Sequence, residues 1–173
     1  EPAFSAKDLA RSIERNWWPL IEEDEVTISV TDDKGDDVEI APQNQPALVP
    51  FIHAFGLLDT STALGRFEVR EAIKVSHKNE GRLSSGSIAL TSNTDPNGWS
   101  YSELEGAASL VCLIRGDMVI AYQPSPEKKR QIPFLRGVFI VDSEKNKESA
   151  QILRLAEPHL HNSWQSKDER IVS

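Results

Sequence analysis

The stretch "ASLVCLIRGDMVIAYQP" at 108–124 consists of two apolar runs divided by Gly116-Asp117. A glycine in the first place of a two-residue loop suits a type II′ turn, whose twist matches that of the flanking strands. Both runs are apolar at odd and even positions, the pattern of strands covered on both faces. The hairpin is therefore expected at the centre of a sheet, with Val111, Leu113, Val119 and Ile120 nearly fully buried. On that reading Leu113→Ala would cost roughly 2–5 kcal/mol, as truncation of a core leucine does.

Further strands fit around it. "IPFLRGVFIVD" at 132–142 reads as another buried strand. "EVTISVTDDKGDDVEI" reads as a hairpin, with Val26, Ile28 and Val30 alternating before the turn and Val38 and Ile40 after it. Its turn holds four aspartates, but the flanking helices and the twelfth-position glutamate of an EF-hand are missing, so a solvated turn is preferred to a calcium loop. In "GRFEVREAIKVS", Phe67, Val69, Ile73 and Val75 share a parity, and Glu71 falls on it too. Either a bulge shifts the register or a carboxylate points inward, and the bulge is preferred. "GRLSSGSIALTSN" would be its partner.

Helical spacing appears in three places. In "SAKDLARSIERNWWPLIEE", Ser5 with Asp8 makes a variant capping box, and Ala6, Ala10, Ile13, Trp17 and Leu20 form a stripe. A helix is expected over about 6–18, ended or kinked by Pro19, which has no N–H to give to residue 15. Trp17 lies on the stripe and is expected in the core; Trp18 lies off it and is the candidate for an outside contact or the core's edge. "NQPALVPFIHAFGLLD" suggests a second helix with Leu48, Phe51, Ile52 and Phe55 inward and His53 at the surface. A short third helix is expected before Pro158. The sum is one α+β domain over 1–173: a mostly antiparallel sheet, a central hairpin and about three helices. Because the chain opens on "EPAFSAKD" without an initiator Met, it is expected to be a piece of a longer protein.

Composition removes several function classes. A net charge of -8 argues against binding nucleic acid through clustered basic residues. Cys112 is the one cysteine, so a disulfide framework and a cysteine zinc site are excluded, and it reads as a small buried hydrophobe. No run approaches the roughly eighteen apolar residues of a membrane span, and no signal peptide opens the chain, so a cytoplasmic protein is expected. The "RGD" of 115–117 reads as part of the hairpin turn, not as an adhesion motif.

No P-loop, G-x-G-x-x-G, G-x-S-x-G or H-E-x-x-H pattern occurs. Glu68, Glu71 and Lys74 have the composition of a metal-nuclease strand, but E-x-x-K puts Glu71 and Lys74 on opposite faces of an extended segment. The densest cluster is "AEPHLHNSW" at 156–164. If extended, Glu157, His159 and His161 share one side, and two imidazoles with a carboxylate suit zinc. A small metal-dependent hydrolase using these three residues is thus an alternative. The preferred reading is a structural clasp: Pro158 stops the helix, the histidines meet backbone or carboxylate groups, and Trp164 packs on the sheet. No metal or cofactor is expected.

Three segments together carry a family resemblance. "ARSIERNWWPLIEEDEVTISV", "LIRGDMVIAY" and "LRGVFIVD…LRLAEPHLHNSW" follow in the order seen in the C-terminal, post-ATPase part of large bacterial MORC-like relatives of the GHKL ATPases, which occur in phage-defence and conflict systems. Glu157-Pro158, His161 and Trp164 match the closing E-P-x-x-H-x-x-W pattern of that region. The ATP-binding motifs of the family would lie upstream and are not in this sequence. The resemblance implies a non-catalytic interaction or transducer domain that works with a protein partner or with other domains of the same protein. The surface expected to serve it comprises Trp18, Arg115 and Asp117 of the turn, and Glu157, His159, His161 and Trp164. Which lysine, if any, would reach a nucleotide in a neighbouring domain has no local signature among Lys74, Lys78 and the "EKK" lysines.

Overall fold

The computed structural model describes residues 5–77, 81–93, 109–116, 118–124 and 134–141, together with Lys147 and Gln151; at 74–77, 81–85 and 93 it describes the backbone alone. The fold is α+β and mostly antiparallel, as expected. In chain order the elements are α1 (Ala6–Glu22), β1 (Val30–Thr31), β2 (Asp37–Val38), a 3-10 turn (Pro42–Asn44), α2 (Val49–Gly56), β3 (Glu68–His77), β4 (Gly81–Asn93), β5 (Leu110–Arg115), β6 (Met118–Pro124) and β7 (Phe134–Val141). From the segment expected to hold a third helix, Lys147 and Gln151 are described, and both are helical.

The capping box forms. Ser5 Oγ accepts the Asp8 N–H at 3.2 Å, and Asp8 Oδ2 accepts the Ser5 N–H at 3.0 Å, so two orphan donors are satisfied reciprocally. The helix then runs through Pro19 to Glu22 instead of stopping near 18. Proline leaves the Arg15 carbonyl without its intrahelical donor. The Tyr122 hydroxyl of β6 supplies one, at 2.7 Å, and the same oxygen accepts the Trp18 indole N–H at 3.1 Å.

That contact reverses the expected roles of the two tryptophans. Trp18 is 0 % exposed and Trp17 is 39 % exposed. The stripe that turns inward passes through Ala10, Glu14 and Trp18, each a helical turn from the next. It was hidden in the sequence because one of its members is a glutamate. Glu14 is buried by a specific bond: its Oε1 accepts the Ala41 N–H at 2.8 Å and ties α1 to the segment before the 3-10 turn.

The five-stranded sheet has the order β3-β4-β7-β5-β6, antiparallel throughout except that β5 and β7 run parallel. The β5–β6 hairpin thus stands at one end of the described order, and β7 takes the central place. Gly116 opens the hairpin turn at φ +57°, the left-handed region that its position demands. Val119 and Ile120 are buried as expected, whereas Val111 and Leu113 are half-buried; Leu110, Cys112 and Ile114 are the strand's fully buried residues.

One face of the sheet carries α1 against β6 and α2 against β7 and β4. Between the layers pack Trp18, Phe51, Leu57, Leu110, Ile114, Tyr122 and Val138. Trp18 meets Phe55 edge-on at 5.3 Å between ring centroids, and Phe51 meets Tyr122 at 5.1 Å. Arg136 on β7 is fully buried beneath α2, its guanidinium 5.6 Å from the centre of the Phe51 ring. Desolvation lowers its pKa to about 10, still far above neutrality.

The predicted first hairpin shrinks to the two-residue strands β1 and β2, paired Val30 with Val38 and Thr31 with Asp37. On β3 neither a bulge before Glu71 nor an inward carboxylate accounts for the pattern. Register does shift, between Ile73 and Lys74, but this lies beyond Glu71, which keeps the parity of Val69 and is exposed because that parity faces away from the helices. The expected inner parity is corrected: Phe67 and Val69 lie on the side away from the helices, and Glu68 and Arg70 are the residues turned toward α2 and the loop after it.

Candidate functional site

The loop between α2 and β3 is braced by polar groups on one side and bare and apolar on the other. Its anchor is Arg70. The guanidinium Nη1 donates to the carbonyls of Leu57 at 2.7 Å, of Thr62 at 3.3 Å and of Asp59, and Nη2 reaches the Thr60 carbonyl at 3.5 Å. One side chain thus gathers four backbone acceptors that a short irregular loop would otherwise leave to solvent. Asp59 folds the loop tip by accepting the Ser61 N–H at 2.9 Å and the Ser61 hydroxyl at 2.8 Å, and these bonds lower its pKa, the backbone bond most.

Glu68 fixes the far end of the loop. Its Oε1 lies 2.6 Å from His53 Nε2 on α2, and its Oε2 accepts the Gly65 N–H at 2.6 Å. The hydrogen bond to His53, then that from Gly65, hold the Glu68 carboxyl below the usual carboxylate range. Ser92 of β4 donates to the Phe67 carbonyl at 3.2 Å.

On this braced frame three apolar side chains face outward: Leu64 is 44 % exposed, Phe67 61 % and Val69 46 %. The Arg66 guanidinium stands 5.4 Å from the centre of the Phe67 ring. β3 is also the end strand of the described sheet, so its outer edge faces no other described strand. An exposed aromatic with a stacked arginine, on a loop whose backbone is already ordered, has the chemistry of a binding hot spot and loses little entropy on contact.

The residues singled out from sequence are distributed differently. Trp18 is a core residue and is withdrawn as a contact. Arg115 is half-buried at the end of β5, opposite Met118. Asp117, Glu157, His159, His161 and Trp164 lie outside the described residues, so the clasp and the zinc readings of 156–164 both do too. The nuclease pattern does not assemble: Glu68 is committed to His53 and Gly65, while Glu71 points to solvent. Cys112 is fully buried, and burial pushes its thiol far up, which suits the inert hydrophobe expected of it. In the four-aspartate turn, Asp32 Oδ1 accepts the N–H groups of Lys34 and Asp36 at 2.9 Å each, an aspartate-capped turn.

The Arg70 anchor and the His53–Glu68 pair escaped the sequence reading because their partners are backbone carbonyls and a residue fifteen positions away. The outward Phe67 and Val69 do have a signal in the sequence, their alternation, but alternation does not say which parity faces the helices. No helix among the described residues is long and apolar enough to cross a membrane. No family model matches the chain, and neither curated proteins nor solved structures give a significant match.

Proposed function

We propose that this chain is a non-catalytic interaction or transducer domain of a larger cytoplasmic bacterial ATP-binding protein of the defence type, and that it acts on another domain of that protein or on a separate protein partner. The observation that carries the reading is the outward set Leu64, Phe67 and Val69 on a loop fixed by Arg70 and Glu68. Apolar side chains scattered singly need no partner, but three within six residues on a pre-ordered edge are a contact surface. The resemblance to post-ATPase regions supplies the setting, and the sequence holds none of the ATP-binding motifs of that family.

Two measurements test this. Reading the coding sequence upstream should reveal a GHKL-type ATP-binding module. The chain and that module, expressed separately, should associate, and a Phe67→Asp, Val69→Asp double variant should raise the Kd at least about tenfold, the loss of roughly 1.4 kcal/mol or more, with an unchanged unfolding midpoint. An unaffected Kd would discard the surface. ATP hydrolysis, or magnesium-dependent nuclease activity, retained by the purified chain would discard the non-catalytic reading.

A further inference from the structure

A groove of about 530 Å³ runs between α1 and the segment that enters α2, with Arg11, Ser12, Glu14, Gln45, Ala47 and Leu48 in its lining. Its size falls within the range of small-ligand sites, roughly 300–1,000 Å³. It lies apart from the Phe67 surface in sequence and has a different chemistry: hydrogen-bonding side chains over a floor made by the buried Ala47 and Leu48. Arg15 borders it too, but is already engaged and is assigned no ligand contact.

Glu14 is the unusual member. It is 4 % exposed, yet the one hydrogen bond it receives goes to Oε1, from the Ala41 N–H at 2.8 Å. No described residue donates to its Oε2. A carboxylate oxygen buried to this degree calls for a donor, because desolvation without one is costly. The helix does not supply it: Arg11, one turn before Glu14, is exposed and forms neither a hydrogen bond nor an ion pair with any described residue. The Gln45 side-chain amide and the Ser12 hydroxyl also make no hydrogen bond among the described residues. The groove thus holds a buried acceptor in need of a donor, rimmed by side chains that can donate.

This arrangement selects the ligand's polar groups. An ammonium would satisfy Glu14 but bring a cation up to Arg11, and a carboxylate would do the reverse. A zwitterion would have to shed the hydration of two full charges to reach so deeply buried an acceptor. A hydroxyl meets both sides as one neutral group: its O–H donates to Glu14 Oε2 while the same oxygen accepts from Arg11. A neighbouring hydroxyl can then reach Gln45, and the C–H face of the ring can lie on Ala47 and Leu48. We propose that the groove binds a neutral sugar, held by O–H donation to Glu14 Oε2 and by acceptance from Arg11.

Titration calorimetry on the full chain decides it, with D-glucose, D-galactose and D-ribose as probes and with glycine, acetate, methylammonium and acetamide as controls. At least one sugar should bind no less than about tenfold tighter than every control, a difference of roughly 1.4 kcal/mol. Permethylated glucose keeps every oxygen but has no O–H to donate, and it should not bind. Glu14→Gln and Arg11→Ala should each weaken sugar binding at least about tenfold. Glutamine at 14 keeps an oxygen for the Ala41 N–H and replaces Oε2 by a donor. If Glu14→Gln unfolds, the permethylated sugar and the exposed Arg11→Ala variant carry the test. No binding of any sugar, a control or permethylated glucose bound as tightly, or an Arg11→Ala affinity equal to the parent's would each overturn the proposal. None of these results bears on the Phe67 surface, which is tested by its own variants.

Discussion

At the scale of single residues, the fold turns on Tyr122. Its hydroxyl both donates to the part-buried carbonyl that Pro19 leaves vacant and accepts from the buried Trp18 indole. Tyr122→Phe therefore strands the buried Trp18 indole N–H and deprives the part-buried Arg15 carbonyl of its donor, and unfolding in urea should show a loss of about 1–3 kcal/mol, the penalty for one buried unsatisfied group. The coupling is specific: in a Pro19→Ala background residue 19 regains the N–H that Arg15 needs, so the same substitution should cost less. Equal costs in the two backgrounds would show that the hydroxyl does not stand in for the missing donor. Burial also pushes the Tyr122 phenol well up. Its folded pKa lies above the unfolded value of about 10, so the stability it contributes is complete below that pH and is lost as pH rises toward the folded pKa. Glu68 has the opposite sign. Its pKa is lowered, so the stability it lends the 57–67 loop is present above about 4.3, the unfolded value, and drains away as pH falls through the lower folded value. Amide exchange in the loop, followed from pH 6 downward in steps of about one unit, should quicken only in that acid window; quickening that begins near neutral pH would show that the Glu68 carboxylate does not control the loop.

At the scale of elements, what could be read from sequence was what local chemistry determines. The Ser5–Asp8 box placed the start of α1 because a cap involves neighbours alone. Gly116 placed the β5–β6 turn because a primed turn needs positive φ whatever surrounds it. Gly116→Ala should accordingly cost about 1–2 kcal/mol from backbone strain alone, since a Cβ there meets nothing within 4 Å. Where tertiary partners decide, the reading failed. Pro19 ends a helix in isolation but not where a tyrosine replaces its N–H. Glycines 86 and 137 were read as ordinary members of strands, yet they mark close approach. A Cβ on Gly86 would run into the Ile140 carbonyl and lie 2.9 Å from the Phe139 ring, and one on Gly137 would come 2.5 Å from the Ala89 carbonyl. Because backbone oxygens in a paired ladder cannot move aside, Gly86→Ala should destabilise by about 3 kcal/mol or more, at the upper end for overpacking. A loss as small as that of Gly116→Ala would mean that β4 and β7 lie farther apart than this register implies.

At the scale of the whole molecule, the two faces of the sheet differ, and this is where sequence periodicity is weakest. Alternation showed that β5 is apolar at both parities but carried no sign of which parity the helices cover. Leu113 is apolar enough for the core, but the helices lie over Leu110, Cys112 and Ile114. The opposite face, through Val69, Ile88, Leu90, Leu113 and Phe139, is apolar and half-buried or exposed. The candidate surface was harder still, because its ordered loop depends on Arg70 and Glu68 reaching across the fold. A pair of truncations separates the faces. Ile114→Ala removes side-chain volume packed between helix and sheet and should cost roughly 3–4 kcal/mol, within the range for buried Ile→Ala changes. Leu113→Ala removes a similar volume from the half-buried face and should cost about half as much, because its solvation in the unfolded chain is only partly reversed on folding. Both can be measured by urea unfolding of the 173-residue chain. If Leu113→Ala proves as costly as Ile114→Ala, the second face is itself a closed core and the accessible apolar surface contracts to Leu64, Phe67 and Val69. If the smaller cost is found for the isolated chain and rises toward that of Ile114→Ala when a protein partner is bound, then the partner covers this face, and the partner surface reaches from the Phe67 edge across the sheet.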